Sequence, residues 1–299
     1  MKLVSSIATG ALVLKKGTVW AQGQVELTPL ADGLYMLTGL GGNITIAKGS
    51  DGLLMVDSGL PTNTTQLKSR TEQLGPPVEV LINTHWHHDH TGSNVALGQA
   101  GARIVAHENT ASRLAEDNTI EFFHQTYKAL DPAGQPKETF KDTGEITFSR
   151  ETVEYKYFPP AHTDGDSTVL YTKAGVFQTG DLFFNRTYPF IDYSTGGSIE
   201  GMIEDAGLLL KEVDASMKIV PGHGPLAVKA ELKIYYDLLS DVGAKINKLY
   251  KSRKTVDQAI AAAPTRKYDE RWGKGLITPE NFVKLIYQGK DLQAGKKAA

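Results

Sequence analysis

The sequence has no cysteine among its 299 residues, which excludes both disulfide bonds and thiolate metal ligands. It also has no marked excess of either charge, since 34 acidic and 32 basic side chains give a formal net charge of -2. This balance offers no electrostatic basis for binding nucleic acid. With 40% hydrophobic and 22% charged residues, the chain has the composition of a soluble globular protein with a substantial core.

An integral membrane segment is not predicted either. The apolar run near the N-terminus, residues 3–14, is too short to span a bilayer. Lys2 precedes this run, and Val19 and Ala21 place small residues at the positions that a signal peptidase reads. We therefore expect residues 1–21 to form a signal peptide and the mature protein to be periplasmic or secreted. Two lysines after the apolar run are unusual in such a peptide, so a cytoplasmic protein is the alternative.

Histidine is scarce, with 8 residues in all, and three of them fall in one short pattern. The pattern is H-x-H-x-D-H and consists of His85, His87, Asp89 and His90. It follows the apolar stretch 78–83 and precedes a helical pattern, so we place it at the carboxyl end of a buried strand, where open α/β folds carry their sites. Neutral imidazole and carboxylate are usual ligands of zinc. The pattern therefore predicts a metal site, with His88 solvated or beside the ligands.

Three later stretches share the logic of the first, because each is an apolar strand that ends in a ligand residue flanked by glycine. Their ligand residues are His162, Asp181 and His223. Glycine beside a ligand lets the backbone take positive φ and approach a metal closely. Each stretch alone is a weak signal, since a single histidine is more often a surface residue and Thr-Gly-Asp is an ordinary turn. In this order behind H-x-H-x-D-H, the three together are a strong one.

The rest of the chain consists of two similar halves. Each half is a run of strands, then a helix, then a strand that ends in a histidine-bearing loop, which predicts two βα layers that face each other. The polar segment 122–144 is predicted to be an insertion over one rim and a candidate lid. From residue 225 onward the pattern is helical, with breaks at Pro264 and at residues 273–275.

The ordered ligand set resembles that of the metallo-β-lactamase superfamily of metallohydrolases. The resemblance implies an α/β fold, a four-layer αβ/βα sandwich, over residues 22–226, and a C-terminal helical extension over residues 227–299 that packs on it. It also implies two metal sites. His85, His87 and His162 would hold the first metal, Asp89, His90 and His223 the second, and Asp181 would bridge both. Asp57 resembles the family's aspartate that orients a ligand by hydrogen bonding.

Two zinc ions per chain would share a water and supply hydroxide at neutral pH for attack on a carbonyl carbon. We expect Asp89 to orient this nucleophile or to move its proton. Tyr188 or Asn185 is a candidate donor to the developing oxyanion, with ordinary loop packing as the alternative. Four aromatic residues are predicted to supply an apolar wall for the substrate: Trp86, Phe184, Phe190 and Tyr193.

The expected partner is a small-molecule substrate, and the sequence carries no signal for an oligomeric state. Asp181, in a chain without cysteine, resembles glyoxalase II enzymes and lactonases, whereas an exported protein would lie outside the glutathione pool. We therefore predict hydrolysis of a strained cyclic amide or ester, with β-lactam turnover as the specific case. The alternatives are a glyoxalase II-like thioesterase or a lactonase and, outside enzymes, a periplasmic metal-binding protein.

Overall fold

The computed structural model describes residues 24–50 and 52–295. The predicted signal peptide, residues 1–21, lies outside the described residues. Within the described part of the chain, no helix is both long and apolar enough to cross a membrane.

Seven strands form the first sheet in the order β1-β2-β3-β4-β5-β6-β9. They are β1 (Glu26–Ala31), β2 (Leu34–Thr38), β3 (Ile44–Lys48), β4 (Leu53–Val56), β5 (Val78–Asn83), β6 (Arg103–His107) and β9 (Glu138–Phe140). The first four strands pair antiparallel, and β4, β5, β6 and β9 pair parallel. β4 is buried along its whole length, as its continuous apolar sequence requires of an inner strand covered on both faces.

Five strands form the second sheet in the order β10-β11-β12-β13-β14. They are β10 (Thr143–Phe148), β11 (Glu151–Tyr157), β12 (Ser167–Tyr171), β13 (Val176–Gln178) and β14 (Lys218–Val220). β13 and β14 pair parallel and the other neighbours pair antiparallel. The chain turns between β12 and β13 through Gly175, whose φ of 60° suits glycine.

Helices cover the outer face of each sheet. They are α1 (Thr64–Leu74), α2 (His88–Thr91), α3 (Asn94–Gln99), α4 (Glu108–Leu114), α5 (Ile199–Glu212), α6 (Lys229–Lys251), α7 (Val256–Ala261), α8 (Asp269–Trp272) and α9 (Pro279–Gln293). One apolar cluster lies between the two sheets, a second joins the first sheet to α1 and α3, and a third joins the second sheet to α5, α6 and α9. This order of layers confirms the predicted αβ/βα sandwich.

The prediction for the polar segment 122–144 was wrong in part. Its first residues belong to a short hairpin of β7 (Asn118–Ile120) and β8 (Gln125–Tyr127), but Glu138–Phe140 is β9, the edge strand of the first sheet. A three-residue edge strand has too few residues to show a periodic pattern, so the polar composition concealed it. The hairpin reaches the functional site through Tyr127, which stacks on His88 with ring centroids 4.5 Å apart.

Candidate metal centre

The predicted ligands meet at one edge of the sandwich. The H-x-H-x-D-H motif follows β5 and ends within α2, and the other candidate ligands follow β11, β13 and β14 in the second sheet. Because parallel neighbours such as β13 and β14 end at the same sheet edge, the loops that follow them lie side by side. Two groups of candidate ligand atoms result, each with its atoms within 4.8 Å of one another. The first group is His85, His87, His162 and Asp181, and the second is Asp89, His90 and His223.

The carboxylate of Asp181 lies between the two groups. Its Oδ2 atom is 3.3 Å from His162 Nε2 and 3.4 Å from His223 Nε2, and its Oδ1 atom is 3.2 Å from His90 Nε2. One carboxylate thus faces histidines of both groups. With metal–nitrogen and metal–oxygen distances of about 2.0–2.2 Å, these separations have the scale of two adjoining coordination spheres.

Hydrogen bonds on the outer side of two histidines of the first group fix which ring nitrogen carries the proton. His162 Nδ1 is 2.9 Å from the Phe190 carbonyl oxygen, so it donates and leaves Nε2 as a lone pair. His87 Nε2 is 3.0 Å from Asp192 Oδ2, so it donates and leaves Nδ1 as a lone pair. His162 Nε2 and His87 Nδ1 are only 2.8 Å apart. Two lone pairs that face each other at this distance repel unless they share a cation.

The carboxylate of Asp57 does the same for the second group. Asp57 Oδ2 accepts from His90 Nδ1 at 2.8 Å, which directs His90 Nε2 at Asp181; this nitrogen holds a proton until a cation displaces it and would then present its lone pair. Asp57 also accepts from the backbone and hydroxyl of Thr84, and the Thr84 hydroxyl oxygen lies 3.1 Å from His85 Nδ1. Asp57 therefore contacts His90 directly and His85 through Thr84, which is the position that the predicted orienting role requires.

Within the described part of the chain, three buried atoms at the centre of this cluster meet no partner in hydrogen-bonding geometry: His85 Nε2, Asp89 Oδ2 and Asp181 Oδ1. Buried polar atoms without partners are costly and rare in native proteins. A cation coordinated by these atoms would satisfy all three. The donor set consists of two carboxylates and five imidazoles, those of His85, His87, His90, His162 and His223, and it is one that zinc and related first-row metals take.

The charges of the site favour a bound cation. Burial lowers the pKa of His162 to about 4 and that of His85 well below its usual range, so both are neutral at pH 7, as metal ligands must be. Burial alone would raise the pKa of Asp181, but the cationic His223 and His90 hold it well below its usual range. Conversely, Asp181 raises the pKa of His223 to about 9 against the effect of burial. The carboxylates thus stabilise positive charge at the centre of the cluster.

Glycines and one asparagine bring the loops to this close approach. A Cβ atom at Gly42 would clash with the ring of His90, and one at Gly222 would clash with the Asp181 carboxylate. Asn43 holds the opposite side, since its amide donates to the carbonyl oxygens of Pro221 at 2.8 Å and Gly224 at 2.9 Å. The loop that carries His223 is therefore tied to the first sheet.

The two predicted oxyanion donors lie in other contacts. The Tyr188 hydroxyl donates to Asp269 Oδ1 at 2.8 Å, and its ring stacks on Phe282, so Tyr188 is directed at the C-terminal helices. Asn185 Nδ2 donates to the Pro225 carbonyl oxygen at 2.9 Å. We therefore assign Tyr188 a packing role and Asn185 a role in holding the His223 loop, which is the alternative that the sequence left open.

Three of the four predicted wall aromatics pack on ligand histidines. The Trp86 ring lies 4.6 Å from that of His87, and Phe184 stacks on His223 at 5.3 Å. Phe190 lies 5.8 Å from His87 and 6.0 Å from His162. The fourth aromatic, Tyr193, lies against Gly289 of α9 instead.

Sequence reasoning missed two carboxylates that brace the site. Asp192 lies 105 positions from its partner His87, and no local pattern marks it. Asp166 accepts from the backbone nitrogens of His162 and Thr163 at 2.7 and 2.9 Å, and burial raises its pKa to about 7. Asp166 lies close to His162 in the chain, but no pattern in the sequence marks it as the acceptor for the backbone of that loop.

Comparisons with known proteins place these features in a family. A family model described as the metallo-beta-lactamase superfamily matches residues 37–223. A protein of Bacillus subtilis with the name "Uncharacterized protein YobT" is 25% identical over 197 residues, 61% of this chain and 82% of that protein. A hydroxyacylglutathione hydrolase from Polaromonas is 43% identical over 42 residues, which is 14% of this chain and 16% of that enzyme.

Solved structures share the fold. A metallo-beta-lactamase from Pontibacter korlensis superposes with a TM-score of 0.60 at 21% identity, over 73% of this chain and 100% of that one. A stereoselective inverting sec-alkylsulfatase from Pseudomonas gives 0.64 at 15% identity, over 88% of this chain but 50% of the enzyme. The family match spans more than half of the sequence and includes all seven ligand positions. The chain therefore belongs to the metallo-β-lactamase superfamily, a superfamily that consists largely of hydrolytic metalloenzymes.

Proposed function

We propose that the protein is a two-metal hydrolase that binds two zinc ions per chain. One observation carries the proposal: Asp181 faces histidines of both ligand groups, and outer hydrogen bonds to His90 and His162 direct the Nε2 atoms of these two rings at its carboxylate. A structural zinc site is normally single, closed and four-coordinate, whereas this arrangement has seven ligand residues in two adjoining groups. This favours an enzyme over a metal-storage protein.

His85, His87 and His162 would hold the first ion, Asp89, His90 and His223 the second, and Asp181 both. When bound, such a pair of divalent ions lowers the pKa of water toward neutrality and polarises a carbonyl oxygen. The outer partners Asp57 and Asp192 keep the imidazoles in the protonation state that ligation needs.

Asp89 is the residue that we propose to orient the nucleophile and to carry its proton. Its Oδ2 atom lies 3.2 Å from His223 Nε2, is buried, and has no partner in hydrogen-bonding geometry. Burial alone would raise the pKa of Asp89, but His90 and His223 lower it, so Oδ2 is an unprotonated acceptor at neutral pH. It can therefore take a proton from an attacking water and pass it to the leaving atom.

The aromatic wall would keep bulk water from the reacting centre. Trp86, Phe184 and Phe190 are each at most 5% exposed and pack on the ligand histidines. Excluding water strengthens the electrostatic interactions within the site.

For the substrate we propose a strained cyclic amide or ester, with β-lactam turnover as the specific case. A glyoxalase II-like thioesterase is the second candidate, and the short match to a hydroxyacylglutathione hydrolase favours it.

We also propose that the protein is exported, on the basis of residues 1–21. N-terminal sequencing of protein from fractionated cells tests this, since a full-length cytoplasmic chain would contradict it.

The central test combines metal analysis with a hydrolysis panel. Protein purified without added metal should contain more than one equivalent of zinc and should bind about two when titrated. The loaded protein is then assayed on β-lactams, lactones, acyl-glutathione thioesters and phosphodiesters. A single ion that added zinc cannot supplement would overturn the two-metal proposal. Thioester cleavage without lactam or lactone cleavage would favour the second candidate.

A further inference from the structure

A groove of about 530 Å³ opens beside the second ligand group. Its walls come from the start of β1 and the end of β2, from the glycine-rich turn before β3, and from residues 60–63 and 223–226. The ligand His223 is part of its lining. A volume of this size holds a small organic molecule, so the groove is suited to the part of a substrate that extends beyond the reacting bond.

The described residues that line this groove include no lysine and no arginine. Glu26, which is exposed, is the acidic residue in the lining, and His223 is its other titratable side chain. The metal centre itself would add little net attraction for an anion. Four carboxylates, those of Asp57, Asp89, Asp181 and Asp192, would offset the four positive charges of two divalent ions. In the zinc-loaded protein His223 would be a neutral ligand, so a negatively charged group in the groove would lose its hydration without gaining a cationic partner.

The groove does contain a neutral polar group, the side-chain amide of Asn63, whose nitrogen has no hydrogen-bond partner among the described residues. Asn63 is 3% exposed. An amide in this state suits a neutral oxygen of a ligand. Leu60, Met36 and Pro225 provide apolar surface in the same lining.

We propose that this groove selects ring-closed esters and amides whose extended portion is uncharged, and that Asn63 is a specificity residue for a neutral oxygen there. The inference rests on the proposed hydrolase, and it names the substrate class of the same site. It ranks neutral lactones and esterified lactams above lactams or thioesters that carry free carboxylates.

The test compares a cephalosporin with its methyl ester, which differ by one charge. The value of kcat/KM is measured on the zinc-loaded protein, and Kd is measured by calorimetry with γ-lactam analogues of the pair, whose unstrained ring resists hydrolysis. We expect the ester to exceed the acid by at least about 10-fold in both measurements, equivalent to about 1.4 kcal/mol.

The outcomes separate the two proposals. Preferential binding of the ester without any turnover would contradict the proposed function and support the groove inference. Turnover with no preference, or with preference for the acid, would overturn the groove inference and leave the hydrolase in place. Binding of neither analogue would overturn the groove inference as well.

Substitutions in the groove lining test whether the preference for the ester arises there. Glu26→Lys should narrow the preference for the ester several-fold, whereas Glu72→Lys, the same charge change on exposed α1, should not. Asn63→Ala should weaken binding of the ester about 5-fold to 10-fold, with little loss of stability because its amide nitrogen has no acceptor in the protein. Arg186 is exposed outside the lining, so Arg186→Ala should leave the preference unchanged. An unaltered preference in both Glu26→Lys and Asn63→Ala would overturn the inference.

Discussion

The two halves of the sandwich supply the candidate ligands in different ways. The first half supplies four from one stretch, residues 85–90 after β5, whereas the second supplies His162, Asp181 and His223 from three separate loops. Bonds within the first loop fix its shape, such as those from the Thr91 hydroxyl to two carbonyl oxygens of the same loop. The loops of the second half depend on distant contacts, such as the bonds from Asn43 to the His223 loop. A compact motif thus needs local order, and a dispersed one needs bracing from the whole fold.

The largest effect is expected where the halves meet. Asp181→Ala removes the carboxylate that faces both groups, so both ions should be lost or loosened and kcat/KM should fall by more than about 100-fold, since loss of even an outer partner costs 10–100-fold. Elemental analysis and steady-state kinetics measure this, and circular dichroism checks the fold. Asp214→Ala, an exposed aspartate, is the control. Retention of two tightly bound ions would refute the bridging role.

Substitutions of the two outer carboxylates, Asp57 and Asp192, test whether the two metal sites can be weakened separately. Among the candidate ligands, the Asp192 carboxylate hydrogen-bonds to His87 alone, and its backbone N–H donates to the carbonyl of His162 of the same group. Asp192→Asn should therefore weaken one ion by about 10–100-fold and spare the other. Asp57 contacts His90 and also Thr84 beside His85, so Asp57→Asn should weaken both. Competition with a chelator gives the two affinities. Equal weakening of both ions in Asp192→Asn would show that the two sites are not separable in this way.

The buried Asp205 in the second half of the sandwich should make the stability of the protein depend on pH. This α5 residue is 1% exposed, and neither carboxyl oxygen has a hydrogen-bond partner among residues 24–50 and 52–295. Burial raises its pKa from 3.8 to about 8, with Asp166 and Glu204 adding to the shift. The folded protein therefore keeps this proton after the unfolded chain has lost it, so stability falls as pH rises from about 4 to 8.

Asp205→Asn removes this loss of stability at high pH. At pH 8 its Tm should exceed that of the natural protein, by about 2–4 °C for each kcal/mol recovered, and the two should converge near pH 4. Calorimetric melts across this pH range measure the difference. A constant offset at every pH would mean that ionisation of Asp205 is not the cause.

The smallest effect is expected at His88, inside the compact motif but outside the ligand groups. His88→Ala removes the stack on Tyr127 and should lower the free energy of unfolding by about 0.5–1.5 kcal/mol. Metal content should stay the same and activity should change by less than about 2-fold. Denaturation in urea and elemental analysis measure both. Loss of an ion would show that the ligands within the motif had been assigned wrongly.

The same contrast explains what could be predicted from the sequence. The seven candidate ligand residues and the layer order could be predicted from short patterns at strand ends together with the family resemblance, and the resemblance also supplied the role predicted for Asp57. Asp192 and Asn43 did not, because their partners lie more than 100 positions away and nothing beside them in the chain signals a tertiary bond. The packing of Tyr188 on Phe282 was hidden for the same reason, since a loop tyrosine looks alike whether it faces a metal or a helix.

The spread of the ligands also governs the order of events in folding. His90 and His223, which belong to the same group, are 133 positions apart and come from different sheets. Both sheets must therefore form before either metal site is complete. Pairings between distant parts of a chain form slowly, since loop closure costs entropy before contacts compensate for it. Metal would therefore enter an almost finished protein and would stabilise it by mass action. Zinc in the refolding medium should then slow unfolding of the recovered protein more than it speeds folding.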